Sequence, residues 1–349
     1  MNDCASESNE SVVPETALAF LREQGLAVDG EKQTWTPLAG GVSSELWRVD
    51  LADGRTICVK GALEKLKVEG DWWAPVSRNT VEWDWLTFAA PVVPGQVPEP
   101  LAHDEDRGLL AMSYLPAKDY PVWKARLLAG AVQRDEAAAV GSLVGRLHAA
   151  GAGNRELARR FATDANFASL RIGPYLSATA TRHPDLSDEF QRIIQRTTST
   201  HLTVVHGDVS PKNILIGPSG PVLLDAECAW YGDPSFDLAF VVNHLVLKTL
   251  VVSGQREALV ASARALLDAY APHVTWEPAD STFARAATLL PALLLARVDG
   301  LSPVEYLDGG QRAAVRAVAR ALLGARSSTL QTAITTATDA LSSATRRRW

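Results

Sequence analysis

The sequence predicts an α+β protein with a small antiparallel sheet at its N-terminal end and a mainly helical remainder. Short apolar segments typical of strands follow one another between residues 33 and 63, and the pair Asp53-Gly54 between two of them is a strong hairpin signal. From residue 116 onward the patterns are those of helices, several of them rich in alanine, a strong helix former. The 349 residues, 47% hydrophobic and 21% charged, suffice for one large domain or two.

The N-terminal part begins with polar residues 1–12, which we expect to be disordered. Pro14 then opens an amphipathic helix that ends at Gly25. The predicted strands are 34–38, 45–50, 55–60 and 108–115, with a helix over 78–88 and a proline-rich loop over 91–100 before the last strand.

A linker at Pro116-Ala117 divides the chain into a disordered N-terminus (1–12), an N-terminal lobe (13–115) and a helical lobe (116–349). Helical patterns in the last segment lie near 135–150, 187–200, 236–252, 255–272, 281–298 and 310–325. The Ser-, Thr- and Ala-rich segment 327–345 is compatible with a helix or with a loose tail.

The most informative motif lies between residues 206 and 227. It places Asp208, Asn213 and Asp225 at the ends of short apolar runs that read as buried strands. Phosphoryl transfer from a nucleotide requires a carboxylate that orients the attacking hydroxyl group and oxygen ligands that hold Mg²⁺ on the phosphates. Each residue alone could form a turn or cap a strand, but the combined string is far more specific. It predicts a kinase.

The string from His206 to Asn213 resembles the catalytic loop of aminoglycoside/choline kinase-like phosphotransferases, which are relatives of protein kinases. The resemblance implies a protein-kinase-like, two-lobe fold. It makes Asp208 the catalytic base and Asn213 and Asp225 the Mg²⁺ ligands. Asp237 would brace the catalytic loop together with His206.

A nucleotide site is expected in the N-terminal lobe. Gly40, Gly41 and Ser43 lie in a loop between two predicted strands, where glycines would let the backbone approach phosphates. Lys60 ends an apolar strand and would hold the α- and β-phosphates, although it could also be an edge-strand lysine that extends to solvent. Glu82 on the helix over 78–88 is the expected partner of Lys60, with Asp84 as the alternative. By resemblance, Met112, Ser113 and Leu115 would contact the adenine.

Several residues of the helical lobe are candidates for binding the acceptor. Glu227 could join the metal ligands, contact the acceptor or be a solvated residue, and Trp230 and Tyr231 could stack on a ring or belong to the core. Arg297 and Asp299 could line the pocket or stabilise the end of a helix. Only a dozen residues separate Asp225 from Asp237, which favours a small molecule over a protein as the acceptor.

The expected activity is a Mg²⁺-dependent transfer of the γ-phosphate of ATP or GTP to a hydroxyl group. The acceptor would be an antibiotic such as an aminoglycoside or a nucleoside antibiotic. Some similarity to methylthioribose kinases makes a metabolic sugar, a thiosugar or an amino alcohol the alternative. A catalytically silent binding protein is the remaining hypothesis.

Composition narrows the cellular context. A net charge of −6 with scattered Lys and Arg disfavours nucleic-acid binding, and the apolar runs are too short or interrupted to predict a membrane span. The cysteines, Cys4, Cys58 and Cys228, have no metal-like or disulfide-like spacing, so we expect reduced thiols in a cytoplasmic protein, monomeric or homodimeric.

Overall fold

The computed structural model describes residues 15–38, 44–63, 78–325 and 329–346. The predicted disorder of residues 1–12 therefore lies outside the described residues, as do Gly40, Gly41 and Ser43. The described residues belong to two compact units, Met1–Trp83 with Glu99–Tyr114, and Asp84–Pro98 with Leu115–Trp349.

The first unit is built on a five-stranded antiparallel sheet in the order β1-β2-β3-β5-β4. Its elements are α1 (Glu15–Glu23), β1 (Thr34–Pro37), β2 (Ser44–Asp50), β3 (Thr56–Ala62), β4 (Pro100–Asp104) and β5 (Leu109–Ser113). Helix α2 (Arg78–Val92) contains the division between the units, which falls after Trp83. The sheet buries Trp47, Val49 and Val59 against Phe20 and Leu21 of α1.

The predicted hairpin between β2 and β3 is confirmed. The strands pair antiparallel from Asp50 opposite Thr56, and Gly54 in the connection has φ = 86°, a conformation that glycine adopts without strain. Strand β4 and the extension of α2 through Pro91 were not expected from the proline-rich 91–100 segment. Pro91 removes one hydrogen bond from the last turn of its helix, whereas Pro100 begins an edge strand, where a missing N–H group costs little.

The second unit is mainly helical. Its helices are α3 (Trp123–Leu128), α4 (Arg134–Gly151), α5 (Arg155–Arg160), α6 (Asp164–Phe167), α7 (Ala178–Arg182), α8 (Ser187–Ser199), α9 (Ser235–Lys248), α10 (Arg256–Tyr270), α11 (Ala279–Asp299), α12 (Gly309–Ala325) and α13 (Leu330–Arg346). A π-helical segment, Ala168–Ser177, connects α6 to α7. Strands β6 (Thr203–Val205) and β9 (Trp230–Gly232) form one antiparallel pair, and β7 (Ile214–Gly217) and β8 (Gly220–Leu223) form another.

Helices α9 and α11 form the core of this unit. Every residue of α9 is buried, and so is the C-terminal half of α11. By length and composition α11 could cross a membrane, but 78% of its most apolar window is buried inside the protein. Core helices of globular proteins meet the same criterion, so this feature is weak evidence for a membrane span.

Helices α4 and α10 approach each other closely at Gly141. A Cβ atom at this position would lie 2.0 Å from the backbone oxygen of Leu266. Because backbone atoms cannot move aside as a flexible side chain can, we predict that Gly141→Ala destabilises the protein by about 1–3 kcal/mol, the usual range for overpacking. Thermal or urea unfolding measures the change.

Gly324→Ala is the matched control, because Gly324 lies on α12 with open space around it. Alanine favours a helix over glycine, so this variant should unfold at the wild-type midpoint or above it. Equal stability of the Gly141→Ala variant and the wild type would show that the two helices can separate without cost.

Candidate active site

The loop that follows β6 is held in place by one buried carboxylate. Asp237 on the first turn of α9 accepts hydrogen bonds from the backbone N–H groups of His206 (2.8 Å) and Gly207 (2.9 Å). Gly207 has φ = 77°, and a Cβ atom there would lie 2.6 Å from the backbone oxygen of Cys228. The loop can therefore take this path only with glycine at position 207.

Three further hydrogen bonds gather the polar residues of the motif. The backbone N–H of Leu224 donates to the Asn213 carbonyl (2.9 Å), and His206 Nε2 lies 3.1 Å from the Leu224 carbonyl oxygen. Asn213 Nδ2 donates to the backbone oxygen of Asp208 (3.2 Å). The loop and the end of β8 are thus tied together, which brings Asp208, Asn213 and Asp225 to one place.

Asp225 stands in an unusual backbone conformation. It has φ = 66°, and it is the one non-glycine residue with a positive φ in the described part of the chain. Aspartate tolerates this left-handed conformation better than most residues, and such conformations often occur at functional sites. The conformation redirects the chain just after β8 and sets the position from which the Asp225 carboxylate projects.

Asp208 is a buried carboxylate with a cation on each side. Its Oδ2 lies 2.7 Å from Arg171 Nη2 and 3.2 Å from Lys212 Nζ, whereas Oδ1 has no hydrogen-bond partner among the described residues. Burial alone would raise the pKa of the Asp208 carboxyl, but Arg171 and then Lys212 outweigh it and hold this pKa below its ordinary value. At neutral pH Asp208 is therefore ionised, with one oxygen able to accept a further hydrogen bond.

Arg171 was not identified from the sequence. It lies on the π-helical segment, where its Nε donates to the Gly207 carbonyl (2.6 Å) and its Nη1 to the Leu170 carbonyl (2.7 Å). Short π-helical segments are frequently found at functional sites. The available signal is an arginine in an otherwise apolar run that contains Gly173-Pro174, and this signal alone names no partner.

The polar groups of the loop suit a divalent cation that prefers oxygen ligands. Asn213 and Asp225 supply amide and carboxylate oxygens. The described residues contain no group of three or more His, Cys, Asp or Glu that could hold a metal alone.

In the first unit, Lys60 and Glu82 form the expected ion pair. Lys60 Nζ lies 2.5 Å from Glu82 Oε2, and both side chains are buried, with exposed fractions of 5% and 2%. The alternative partner, Asp84, pairs instead with Arg160 at 2.6 Å. Glu82 thus fixes the position of the Lys60 ammonium group on the middle strand of the sheet.

The residues predicted to contact adenine lie at the end of β5 and just after it. Met112 pairs with Cys58 across the sheet, and Ser113 exchanges hydrogen bonds with the backbone of Glu99, through both its N–H and its hydroxyl oxygen. Leu115 is half-buried.

Two of the three cysteines lie in the described residues, and Cys58 and Cys228 are free and buried. Burial raises the pKa of the Cys58 thiol to about 12 and the pKa of the Cys228 thiol well above its ordinary value. Both are therefore neutral thiols, which are poor nucleophiles.

The aromatic candidates for the acceptor site face the interior. Trp230 is buried and stacks on Phe167 with ring centroids 4.2 Å apart, and the Tyr231 hydroxyl donates to the Leu202 carbonyl (3.0 Å). This arrangement favours the packing alternative for both. Glu227 is buried, and its backbone carbonyl accepts from Asn166 Nδ2 (2.7 Å).

The two charged candidates on α11 have different surroundings. Asp299 accepts two hydrogen bonds from Arg316 (2.6 Å each) and lies 2.8 Å from His183 Nε2, so its carboxylate is engaged in ion pairs. Arg297 Nη1 donates to the hydroxyl groups of Tyr175 and Ser302 (3.1 Å each), while its buried Nε has no partner among the described residues. Arg297 thus retains a free donor.

Comparison with known families identifies the chain. Residues 34–273 match the phosphotransferase enzyme family (APH), and this range is more than half of the chain. The chain belongs to this family. It is accordingly a small-molecule phosphotransferase.

Solved structures confirm the protein-kinase-like fold of this phosphotransferase. The amicoumacin kinase hAmiN, determined with AMP-PNP, Ca²⁺ and Ami, has a TM-score of 0.57 at 14% identity, over 91% of this chain and 98% of that one. A protein from Thermobifida fusca described as a fructosamine-3-kinase has a TM-score of 0.50 at 22% identity, over 84% of this chain and 95% of that one.

A relative in sequence is the probable ketoamine kinase of Klebsiella aerogenes, which is 35% identical over 83 residues. The match covers 22% of this chain and 29% of that protein. It therefore adds to the family assignment without extending to the whole enzyme.

The role of the Arg171–Asp208 ion pair in turnover can be tested by substituting Arg171, which lies outside the sequence motif. Arg171→Met removes the buried partner of Asp208, so we predict a decrease in kcat of roughly 10- to 100-fold, as expected when a charged hydrogen-bond partner is lost. Arg171→Lys keeps the charge but cannot reproduce the forked contacts to Gly207 and Leu170, so its kcat should be intermediate. Steady-state kinetics with an acceptor that the wild-type enzyme phosphorylates measure both values of kcat.

Arg159→Met is the control, because Arg159 is exposed on α5. It should retain wild-type kcat. Wild-type kcat in the Arg171→Met variant would show that the ion pair with Asp208 has no bearing on turnover.

Proposed function

We propose that this phosphotransferase transfers the γ-phosphate of ATP or GTP to a hydroxyl group of a small molecule, with Mg²⁺ as the cation. The observation that carries the proposal is Asp208, a buried and ionised carboxylate whose Oδ1 is unpartnered among the described residues. Such an oxygen can accept the hydrogen bond of a hydroxyl group that attacks phosphorus.

Each residue has a role that follows from its surroundings. Asp208 Oδ1 orients the acceptor hydroxyl and takes its proton while the new oxygen–phosphorus bond forms and the bond from the γ-phosphorus to the bridging oxygen breaks. Arg171 holds the Asp208 carboxylate in place through Oδ2. Lys60, fixed by Glu82, binds phosphate oxygens of the nucleotide.

Asn213 and Asp225 are the residues that would hold Mg²⁺. The cation would neutralise charge on the phosphate oxygens. Gly40, Gly41 and Ser43 remain the predicted phosphate loop, and Met112, Ser113 and Leu115 remain the predicted adenine contacts.

Two classes of acceptor are proposed. One is an antibiotic such as an aminoglycoside or a nucleoside antibiotic, and the other is a metabolic sugar, thiosugar or amino alcohol. Relatives of both kinds occur in the family. A screen of these compounds for nucleoside-diphosphate release separates the two, and it also tests the alternative of a silent binding protein, which would bind nucleotide without turnover.

The base is tested by Asp208→Asn. Asparagine keeps the shape but cannot take a proton, so we predict that phosphate transfer falls by roughly 10²- to 10⁴-fold. The nucleotide should still raise the melting temperature, because Asp208 is not assigned to nucleotide binding. Asp185→Asn, at an exposed residue paired with Arg320, serves as the control and should turn over normally. Full turnover by the Asp208→Asn variant would refute the role of the base.

The cation site is tested by Asp225→Asn. Asparagine tolerates a positive φ as aspartate does, so the backbone should be preserved while one negative ligand is lost. We expect the Mg²⁺ concentration for half-maximal activity to rise by an order of magnitude or more, because Mg²⁺ prefers charged oxygen ligands. Asp268→Asn, exposed on α10, should leave the Mg²⁺ requirement unchanged. An unaltered Mg²⁺ titration of the Asp225→Asn variant would remove Asp225 from the site.

A further inference from the structure

We propose that the acceptor carries an anionic group, a carboxylate or a phosphate ester, and that buried cations at the C-terminal ends of α9 and α11 bind it. The cationic cluster, as it is called below, consists of these two cations, Lys248 and Arg297, together with Lys124 of α3, which is partly exposed, and the neutral imidazole ring of His244. The inference rests on the proposed function and specifies the acceptor of the same site.

Lys248 is the centre of the cationic cluster. It is the last residue of α9 and is fully buried, and its Nζ has no hydrogen-bond partner among the described residues. The Nζ lies 5.1 Å from the centroid of the Tyr306 ring. A cation–π contact is weaker than the cost of removing an ammonium group from water, so the ring does not compensate for burial. An anion bound beside Lys248 would therefore supply a partner that Nζ lacks among the described residues.

The charges around Lys248 are mostly of the same sign. Burial, followed by the nearby charges of Lys124 and Arg297, lowers the pKa of Lys248 to about 7, and Glu305 alone opposes this change. The pKa of His244, one turn earlier on α9, is lowered well below its ordinary value by burial and then by four cations, Arg297, Lys248, Lys212 and Lys124. The site thus has a positive potential that Glu305, the partner of Lys124, neutralises only in part.

Two other polar atoms near Lys248 also lack partners. The Arg297 Nε and the Tyr306 hydroxyl are buried without a hydrogen bond in the described chain. Buried polar groups are rarely left unpaired, and each exception calls for a ligand, water or ion. Donors of this kind, beside two cations, match the oxygens of a carboxylate or a phosphate.

One acid lies close to the cationic cluster. Glu305 pairs with Lys124, and its side chain is 66% exposed, so it lies at the rim. Lys124 lies 5.9 Å from the ring of Tyr306 on the same rim. An aminated acceptor would meet like charges here, whereas an anion would meet opposite charges. The cluster therefore favours an acidic sugar or hydroxy acid over an aminoglycoside or an amino alcohol.

The cationic cluster is joined to the catalytic loop through a single side chain. The centroid of the Tyr175 ring lies 5.7 Å from the Arg171 guanidinium and 5.5 Å from the Arg297 guanidinium. Arg171 in turn contacts Asp208. Arg297 of the cationic cluster and Arg171 beside the catalytic carboxylate thus contact the same tyrosine ring.

The first test measures anion binding directly. Malonate and inorganic phosphate are titrated against sodium chloride at equal ionic strength, with AMP-PNP and Mg²⁺ saturating so that the nucleotide site is filled, and the melting temperature is recorded. We expect a saturable rise with malonate or phosphate in the wild type. In the Lys248→Met variant, the anion concentration that gives half of this rise should be at least tenfold higher. Lys118→Met, at an exposed lysine, removes the same charge and should behave as the wild type.

The same variants give a readout that does not need a ligand. Lys248→Met removes a buried, uncompensated charge, so in the absence of anions it should melt above the wild type. If Lys248→Met fails to fold, Tyr306→Phe provides the second variant. It removes only a hydroxyl group that has no partner among the described residues, and it should still weaken the binding of the anion. A wild-type anion response in both variants, or a wild type that responds to neither anion, would overturn the inference.

The second test uses acceptors in matched pairs, gluconate with sorbitol and glucose 6-phosphate with glucose, with glucosamine as the cationic member. The anionic member should have the higher kcat/KM, and Lys248→Met should remove this preference mainly through KM. The gluconate pair and the phosphate pair together distinguish a carboxylate from a phosphate ester. Preference for glucosamine would contradict the inference.

Failure of the inference can be told apart from failure of the proposed function. The Asp208→Asn variant should keep the anion-induced rise in melting temperature while losing turnover. If Asp208→Asn turns over normally, the proposed function fails whatever the cationic cluster does. If Asp208→Asn is inactive but Lys248→Met binds anions as the wild type does, only the inference about the acceptor fails.

Discussion

The arrangement of the catalytic loop depends on the buried carboxylate of Asp237. Asp237 is fully buried, and it accepts hydrogen bonds from the backbone of His206 and Gly207 and contacts His148 Nε2 of α4 at 3.1 Å. A buried carboxylate is stable only when its oxygens are satisfied, so α4, α9 and the loop each depend on the other two. Helix α9 carries Asp237 at one end and Lys248 at the other. One helix therefore positions both the catalytic loop and the cationic cluster.

Local signals in the sequence predicted most of the regular structure. The hairpin at Asp53-Gly54, the strands β1 to β3 and the long helices of the second unit lie within a few residues of their predicted bounds, because turn chemistry and apolar periodicity are encoded over short stretches. The ion pair of Lys60 with Glu82 could also be predicted, because Lys60 ends a predicted strand and Glu82 lies on the predicted helix that comes next in the chain. The π-helical segment and the pair of Arg171 with Asp208 could not be predicted in this way, since they depend on packing between residues 37 positions apart.

The acceptor side shows which information appears only after folding. From the sequence, Trp230 and Arg297 are each compatible with a structural or a binding role. Packing separates them, because Trp230 stacks on Phe167 while Arg297 keeps a buried donor without a partner. Lys248 interrupts an apolar run of the sequence, yet it is fully buried. Whether a polar atom is satisfied is decided by distant residues, and no local pattern records it.

The local charge at two sites of this protein is opposite in sign to its net charge. The net charge is −6, but Asp208 lies between two cations and the end of α9 is positive. A fold that buries Lys248 without a counter-charge gives up stability in the free state, and an anionic ligand would restore part of it on binding. Because the cations are already held in place by helices, little side-chain ordering would oppose that binding. The loss of stability in the free protein and the proposed selectivity for an anion thus have the same physical origin. Both arise because folding removes the Lys248 ammonium group from water without supplying a hydrogen-bond partner from the described residues.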